Sequence, residues 1–297
     1  MLTFAGQTGA MTCAEAIIAV AAGFVISVVT TPVGVSGAVF LLPVQLSVLN
    51  VANPAVTATN LLFNVVSGPG ALLRYRRRGG LGGPLTRLLL LGTVPGVVVG
   101  ALLRVFAVPG PGVFRLIVAV LLLPLGLWLC LAVPPAAVPP SAGRRTDGRR
   151  TDGGRTDERR AGGGRTDGRL SRRGIIALAL GVGAVGGVYG IGGGSLLGPI
   201  LVGRGLPVTV VAPAALASTF VTSVAGAGVF AVLALTGRAD VAPEWDVGLL
   251  CGAGGLVGGY VGAYLQPRLP ERGLRLMLGG LAVALAILYA GQAATRL

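Results

Sequence analysis

The chain of 297 residues contains no lysine and no histidine, and only 11% of its residues carry a charge. Soluble domains carry about 25% charged residues, so this composition excludes an ordinary soluble fold. The missing histidine removes the most common metal ligand, and the missing lysine removes the phosphate-binding motif of ATP-driven motors. We therefore expect neither a metal nor a cofactor.

Acids and thiols are equally scarce in the apolar regions. Between Ala10 and Leu73, Glu15 is the only ionisable acid or base. The cysteines Cys13, Cys130 and Cys251 are too far apart for a disulfide framework or a zinc site. A membrane-embedded enzyme would need acid, base or nucleophilic groups within the bilayer, and a cation channel or carrier would need acidic side chains there. Both stay open as alternatives, but we expect no enzyme.

All 24 basic residues are arginine, and they occur in clusters. Eleven lie in the range 144–173 and five in the range 74–87. Such clusters beside membrane spans mark the cytoplasmic side of a membrane protein. No aromatic residue lies among the eleven arginines to stack on bases, so we expect no nucleic-acid partner.

Hydrophobic residues make up 53% of the sequence. They form long stretches, and a membrane-spanning helix needs about 20 mostly apolar residues. The stretches cover residues 14–49, 54–73, 84–103, 113–133, 175–202, 207–235, 247–265 and 274–290. The sequence therefore predicts an all-α integral membrane protein with two related halves of about four hydrophobic elements each. We expect it in the cell membrane, specifically a prokaryotic plasma membrane.

Residues 134–173 separate the two halves. Pro134 and Pro135 end the fourth stretch firmly. The tripeptide Arg-Thr-Asp then recurs among glycines, beginning at Arg145, Arg150, Arg155 and Arg165. Almost no apolar side chain is available to form a core, so this segment is predicted to be a disordered cytoplasmic linker. The chain thus divides into a first membrane repeat over 1–133 and a second over 174–297.

The two halves match each other in order. Each begins with a stretch that glycine or proline interrupts, at Thr30–Gly34 and at Gly190–Gly194. Gly34-Val-Ser-Gly37 followed by Pro43 aligns with Gly190-Ile-Gly-Gly193 followed by Pro199, at an offset of 156. Further aligned pairs are Pro54/Pro213, Ala55/Ala214, Thr59/Ser218, Asn60/Thr219, Gly96/Gly258, Gly100/Gly262 and Arg115/Arg275. The ordered series predicts an internal duplication.

Two topologies fit the interrupted stretches. If each crosses the membrane once, the acidic loop 240–246 lies on the arginine-rich side, and residues 268–275 lie on the other. If each is re-entrant, entering and returning on one side as two half-helices, all arginine clusters share the cytoplasmic side, as the positive-inside rule demands. We prefer the second arrangement, which makes the halves an inverted repeat of the kind common among secondary transporters.

The paired breaks are the strongest indication of a functional site. Backbone without helical hydrogen bonds survives in a membrane only where it is buried in protein or lines a cavity, and paired interruptions indicate a midplane site. A half-helix beginning after Gly194 would direct free N–H groups at the break, which favours an anion. Close packing through small residues is the competing interpretation. We prefer packing for Gly96/Gly100 and Gly258/Gly262, and a site for Gly190–Gly194.

Uncharged polar side chains lie at membrane depth near the breaks. Asn60, Asn64 and Ser67 share one face of the second stretch, and Thr219 and Ser223 share a face of the sixth. Such donors suit an oxyanion that must bind and also leave, while interhelical hydrogen bonding is the alternative role. The predicted substrate-binding residues are Pro32, Gly34, Ser36, Gly37, Asn60, Gly190, Gly192, Gly193, Gly194, Ser195, Ser218 and Thr219.

The string Gly-Ile-Gly-Gly-Gly-Ser-Leu-Leu-Gly-Pro-Ile-Leu from Gly190, with the Ser218-Thr219 segment, resembles the TauE/SafE family of membrane transporters, often called sulfite exporters. The first-half string from Thr31, with Asn60-Leu-Leu-Phe-Asn64, resembles a recurring variant of the same family. The resemblance covers nearly the whole chain except the arginine linker. It implies export of sulfite, sulfonates or related organic anions, coupled to the membrane gradient.

The resulting hypothesis is a secondary transporter of small sulfur-containing oxyanions with a site at the paired breaks. The expected partners are a small anionic substrate and the lipid bilayer, and self-association into a homo-oligomer stays open. A channel or carrier for another small ion is the first alternative, and a membrane-embedded enzyme is the second.

Overall fold

The computed structural model describes residues 11–52, 55–77, 81, 83–106, 172–236 and 241–294, with isolated positions between 123 and 131. Most of the arginine-rich linker and of the fourth apolar stretch lie outside these residues.

The described part of the chain is helical and contains no strand. The helices are α1 (Cys13–Thr30), α2 (Ala38–Ser47), α3 (Ala55–Arg76), α4 (Pro84–Phe106), α5 (Arg172–Tyr189), α6 (Leu197–Gly203), α7 (Val208–Leu235), α8 (Trp245–Leu265) and α9 (Glu271–Ala294). Short 3-10 turns at Thr31–Val33 and Gln266–Arg268 follow α1 and α8. Six helices are long and apolar enough to cross a membrane, namely α1, α3, α4, α5, α7 and α8. The prediction of a multi-pass, all-α membrane protein is confirmed.

Helix α1 begins at a capping box. The hydroxyl of Thr12 accepts the backbone N–H of Glu15 at 3.2 Å, and the Glu15 carboxylate accepts the backbone N–H of Thr12 at 2.9 Å. This reciprocal pair satisfies two N–H groups that a helix start otherwise leaves without partners. Helix capping therefore accounts for Glu15 without an ion.

The interrupted stretches are built from unequal pieces. Helix α1 has 18 residues, which at about 1.5 Å per residue is close to the roughly 30 Å hydrocarbon thickness of a bilayer. The following α2 has only 10 residues, and α5 with 18 residues is followed by α6 with 7. The two half-helices expected for each stretch are thus a nearly full-length helix and a short one. Helices α1 and α5 are long because neither one is interrupted before Pro32 or Gly190, respectively.

Glycines bring helices of the two halves into backbone contact. A Cβ atom added at Gly96 or Gly100 of α4 would lie 2.3 or 2.0 Å from carbonyl oxygens of α5, and one added at Gly258 of α8 would lie 2.3 Å from the Phe24 carbonyl oxygen of α1. No side chain fits in these contacts. The packing interpretation of these glycines is therefore confirmed.

The same contacts give the directions of the helices. Gly92 and Gly100 of α4 lie against Ile176 and Ala184 of α5, so these two helices run parallel. The equivalent pair is α8 and α1, again one helix from each half. Gly254 of α8 lies against Val20 and Gly258 against Phe24, so these two helices also run parallel.

Helix α3 packs against α8 of the second pair. Gly248 and Gly259 of α8 lie against Leu62 and Ala71, so α3 runs parallel to α8. Contacts between α3 and α7 run the other way, because Leu61 lies against Gly226 whereas Gly68 lies against Phe220. Helices α1, α3 and α8 therefore point in one direction and α7 in the opposite one.

Candidate functional site

Both breaks end their long helix in the same way. Gly34 and Gly190 have positive φ angles of 78° and 69°. The residue after each glycine returns its N–H to a carbonyl five residues back, from Val35 to Thr30 at 3.2 Å and from Ile191 to Gly186 at 3.1 Å. This is the six-to-one hydrogen bond of a Schellman helix end, which needs a left-handed residue and favours glycine. The predicted correspondence of the breaks thus extends to their local geometry.

Each break is in close contact with the long helix that follows the other break: the first break contacts α7, and the second contacts α3. A Cβ atom at Gly34 would lie 2.4 Å from the Cα of Ala212 in α7, and one at Gly190 would lie 2.2 Å from the Thr57 carbonyl oxygen in α3. The exchange of contacts between the halves brings both breaks into the centre of the protein, where Ser36, Ile191 and Ser195 are all buried.

Asn64 of α3 connects the two breaks directly. Its Oδ1 accepts the hydroxyl of Ser36 from the first break, and its Nδ2 donates to the carbonyl oxygen of Gly190 in the second break at 3.4 Å. Asn64 was identified in the sequence as a polar residue of this face but was not placed among the binding residues.

The second break is held by hydroxyl groups of α7. The backbone N–H of Gly193 donates to Thr222 Oγ1 at 3.0 Å, and the hydroxyls of Ser195 and Thr219 lie 3.4 Å apart. The N–H of Gly193 therefore has a protein partner in this conformation. Since α6 has only seven residues, the helix start expected to attract an anion is short as well.

Two side chains at the second break have no hydrogen-bond partner. Among the described residues, buried polar atoms without partners occur at Gln45, Asn60, Arg74 and Ser223. Asn60 is 0% exposed, and both atoms of its amide lack partners. Its Cβ lies 3.1 Å from the position of a Cβ at Gly190, and the Ser223 hydroxyl lies 3.1 Å from the corresponding position at Gly192. Buried polar groups are normally paired, so two orphans at one break leave hydrogen-bonding capacity for a ligand.

The first break borders a small polar cavity. Its volume is about 30 Å³, which is roughly the space for one or two water molecules. The polar side chains around it are Ser27, Thr31, Ser36, Asn64, Ser67 and Thr219. Of these, Ser36 and Thr219 were predicted. Ser27 of α1 and Thr31 of the following 3-10 turn were missed, although their spacing of four residues places them on one face of the first interrupted stretch.

Arg104 was also missed by the sequence interpretation. It lies in the last turn of α4, and among the described residues it is the only charged side chain that is buried. Its Nε donates to the Thr57 hydroxyl at 3.2 Å, and that hydroxyl donates to the Val188 carbonyl oxygen at 3.5 Å. An arginine inside a candidate span, where ionisable residues are rare, was the available signal.

The other residues predicted to bind the substrate each contact a different part of the protein. The carbonyl oxygen of Pro32 accepts a hydrogen bond from Gln266 at 2.8 Å, and the hydroxyl of Ser218 lies 2.8 Å from that of Thr93 in α4. Gly37 packs against Phe63 and Ile26, and Gly194 packs against the Ala215 carbonyl and Thr219. Ser36, Gly37 and Thr219 thus line one cavity, Asn60, Gly190 and Gly192 lie at the other break, and Ser218 faces α4.

Taken together, these features define a multi-pass helical membrane protein with a buried, mainly uncharged polar region at two corresponding helix breaks, a construction found in transporters. Comparison of sequences then gives the family, because the family model described as sulfite exporter TauE/SafE matches residues 19–289. The chain belongs to this family of membrane transporters for sulfite-like anions. No curated protein and no solved structure matches it.

Proposed function

We propose that this protein is a secondary transporter that exports small sulfur-containing oxyanions, such as sulfite or sulfonates, through a site at the paired breaks. The observation that carries the proposal is the pair of buried side chains without partners, Asn60 and Ser223, at the second break. An amide and a hydroxyl can each donate a hydrogen bond to an oxyanion. Neutral donors bind an anion without holding it as firmly as an ion pair would, which suits a cargo that must leave.

In this proposal the anion is bound by side chains more than by a helix dipole. The N–H of Gly193 already donates to Thr222, so the backbone donor expected at this position is occupied. The donors of Asn60 and Ser223 have no such competing partner. They therefore replace the helix start as the proposed ligands.

We further propose that the two halves form an inverted repeat with re-entrant broken stretches. In the first half α1 and α3 point in the same direction, which requires the intervening break and α2 to bring the chain back. In the second half α7 points the opposite way to its counterpart α3. Helix α8 likewise points the opposite way to its counterpart α4, because α8 runs with α3, whereas α4 runs with α7, with Thr93 against Ser218 and Val97 against Gly226. Opposite directions of corresponding helices are the mark of inverted repeats in transporters.

The charges at the helix ends support the same topology. Arg74 at the end of α3 and Arg268 after α8 both lie over the ring of Tyr264, with guanidinium carbons 4.7 and 3.9 Å from its centre. These two basic ends therefore share one side. Glu244 and Asp246 lie at the opposite end of α8, so the positive-inside rule places the arginines in the cytoplasm.

Export requires a change of conformation in this proposal. The polar cavity of about 30 Å³ holds roughly a water molecule or two, and a sulfite ion with four heavy atoms needs more room. A site shared by two oppositely directed halves can open to either side when one half rocks against the other.

The test is sulfite flux in proteoliposomes containing the purified full-length protein, compared with protein-free liposomes. Asn60→Leu and Ser223→Ala should abolish or strongly reduce the flux. Because neither side chain has a hydrogen-bond partner to lose, both variants should unfold at the same temperature as the wild type or higher. Flux that persists in both variants would remove the site assignment.

A second pair of variants tests the break itself. Gly193→Leu would press a side chain against Thr93 and Gly183, whereas Gly181→Leu has open space within 4 Å. We expect loss of flux in the first and normal flux in the second. Wild-type liposomes that move no sulfite or sulfonate would contradict the proposed cargo.

A further inference from the structure

Arg104 and Gln266 occupy equivalent positions in the two halves. The offset of 162 that aligns Gly96 and Gly100 with Gly258 and Gly262 also aligns Arg104 with Gln266. Both side chains are buried, with 6% and 4% of their surface exposed. Arg104 lies in the last turn of α4 and Gln266 lies directly after α8, and each is connected to the break of the opposite half.

The contacts they make are equivalent as well. Gln266 donates to the carbonyl oxygen of Pro32, two residues before Gly34. Arg104 donates to Thr57, whose hydroxyl donates to the carbonyl oxygen of Val188, two residues before Gly190. The two halves therefore support their breaks with the same construction, but one uses a neutral amide and the other uses a guanidinium.

This difference in charge has a physical cost. A charged side chain in a membrane interior is expensive and usually serves a function, whereas the amide of Gln266 shows that a neutral side chain supports such a break. The carbonyl end of α5 next to Arg104 offsets part of the cost, because a helix C-terminus attracts a cation. A break of this kind can therefore be supported without a charge.

Two of the unpartnered donors, those of Asn60 and Ser223, lie at the second break, whereas the unpartnered amide of Gln45 lies on α2, eight residues after Gly37. Asn60 follows Thr57, the partner of Arg104, by three residues in α3, and it therefore lies on nearly the same face of that helix. The Ser223 hydroxyl reaches the same break at Gly192. The residues aligned with Asn60 and Ser223 are Thr219 and Asn64, and both have protein partners: Thr219 lies against Ser195, and Asn64 bonds to Ser36 and Gly190.

We infer that the two breaks are functionally different: the second binds the transported oxyanion, and Arg104 supplies the fixed positive charge that selects anions there. The first break, with Gln266, is its neutral structural counterpart. This inference rests on the proposed transport function and adds the location of the anion and the source of its selectivity. A guanidinium suits this role because its planar set of donors matches the oxygens of an oxyanion.

The experiment measures KM and maximal flux in proteoliposomes for a panel of sulfite, sulfoacetate, acetate and chloride. Arg104→Gln makes the two equivalent positions alike, Arg104→Lys keeps the charge with fewer donors, and Arg76→Gln is the control because Arg76 is exposed. We expect a KM for sulfite raised about tenfold or more in R104Q, a smaller rise in R104K, and no change in R76Q. A purely structural role would lower the amount of folded protein and the maximal flux but leave KM unchanged.

The outcomes separate the inference from the proposed function. If the wild type transports sulfite and neither R104Q nor R104K changes KM, Arg104 does not select the anion and the inference is overturned while the transport function stands. If the wild type transports a different anion of the panel, the proposed cargo is wrong, and the same comparison with that anion decides the role of Arg104. If no anion moves, both are overturned. Should R104Q not fold, R104K gives the decisive KM.

Discussion

The side-chain amide of Asn64 donates a hydrogen bond to the carbonyl oxygen of Gly190 at 3.4 Å, and so joins a helix of the first half to the break of the second. The other atom of the same amide accepts the hydroxyl of Ser36 in the first break. One neutral side chain thus links both breaks. A displacement of either break changes the hydrogen bonds of the other, which is a direct way to couple the two halves.

The first prediction contrasts Asn64 with Asn60, one turn earlier on α3. Asn64→Leu leaves the Ser36 hydroxyl and the Gly190 carbonyl without this partner, which should lower the free energy of unfolding by about 1–3 kcal/mol. Asn60→Leu removes an amide that has no partner, so it should leave stability unchanged or raise it. Thermal unfolding of both variants in detergent measures the difference. Equal shifts in the two variants would show that the Asn64 bridge does not contribute.

The second prediction concerns the contact between α4 and α5. In Gly100→Ala the new Cβ would lie 2.0 Å from the Ala184 carbonyl oxygen, so the helices must separate. The matched control is Gly181→Ala on α5, where nothing lies within 4 Å. We expect G100A to lower the unfolding temperature and the yield of monodisperse protein. G181A should match the wild type, since alanine favours helix at least as well as glycine. A G100A protein as stable as the wild type would contradict the close contact between Gly100 and the Ala184 carbonyl oxygen.

The third prediction separates backbone strain from crowding at the breaks. Gly190 and Gly205 both have positive φ, at 69° and 92°. A Cβ at Gly190 would lie 2.2 Å from the Thr57 carbonyl oxygen, whereas nothing lies within 4 Å at Gly205. Gly205→Ala should therefore cost only the strain of a left-handed residue, about 1–2 kcal/mol.

Gly190→Ala has both the backbone strain and the steric clash, and it should also abolish sulfite flux, because the clash with the Thr57 carbonyl oxygen forces the break away from α3. Unfolding temperature and flux are measured on the same preparations. Similar stability and similar flux in the two variants would contradict the close contact at Gly190.

The fourth prediction tests the topology with single cysteines. The background replaces Cys13, Cys130 and Cys251, and new cysteines are placed at Gly83, Glu244 and Leu269. In the inverted arrangement Gly83→Cys and Leu269→Cys lie on the cytoplasmic side and Glu244→Cys on the outside. A membrane-impermeant maleimide added to spheroplasts should then label only the Glu244 variant. Labelling of the Leu269 variant from outside, with the Gly83 variant protected, would instead favour a single crossing by each interrupted stretch.

The positions of the breaks were predictable from local chemistry. Pro32, Gly34 and Gly190 stop a helix wherever they occur in this pattern, because proline lacks an N–H and glycine takes the left-handed end. The packing role of Gly100 and Gly258 followed from their spacing in apolar segments. The unequal lengths of the helices on either side of each break were not predicted, since the expectation was two half-helices.

Contacts between the two halves could not be predicted from the sequence. The surroundings of Arg104 are fixed by Thr57, which lies 47 residues earlier on another helix. The unpartnered state of Asn60 is likewise a property of what surrounds it and not of its own position on α3. Asn60 and Asn64 look alike in the sequence, yet only Asn64 meets partners.

The sequence by itself determined a series of apolar helices with two interruptions, because hydrophobicity, glycine and proline act locally on the chain. The tertiary structure decided how the two breaks differ: Asn60 and Ser223 meet no partners at the second break, and the buried Arg104 is linked to that break through Thr57. That difference arises from helices α3, α4 and α7 meeting at a distance in the chain, where a side chain's energy depends on its neighbours and not on its own residue type.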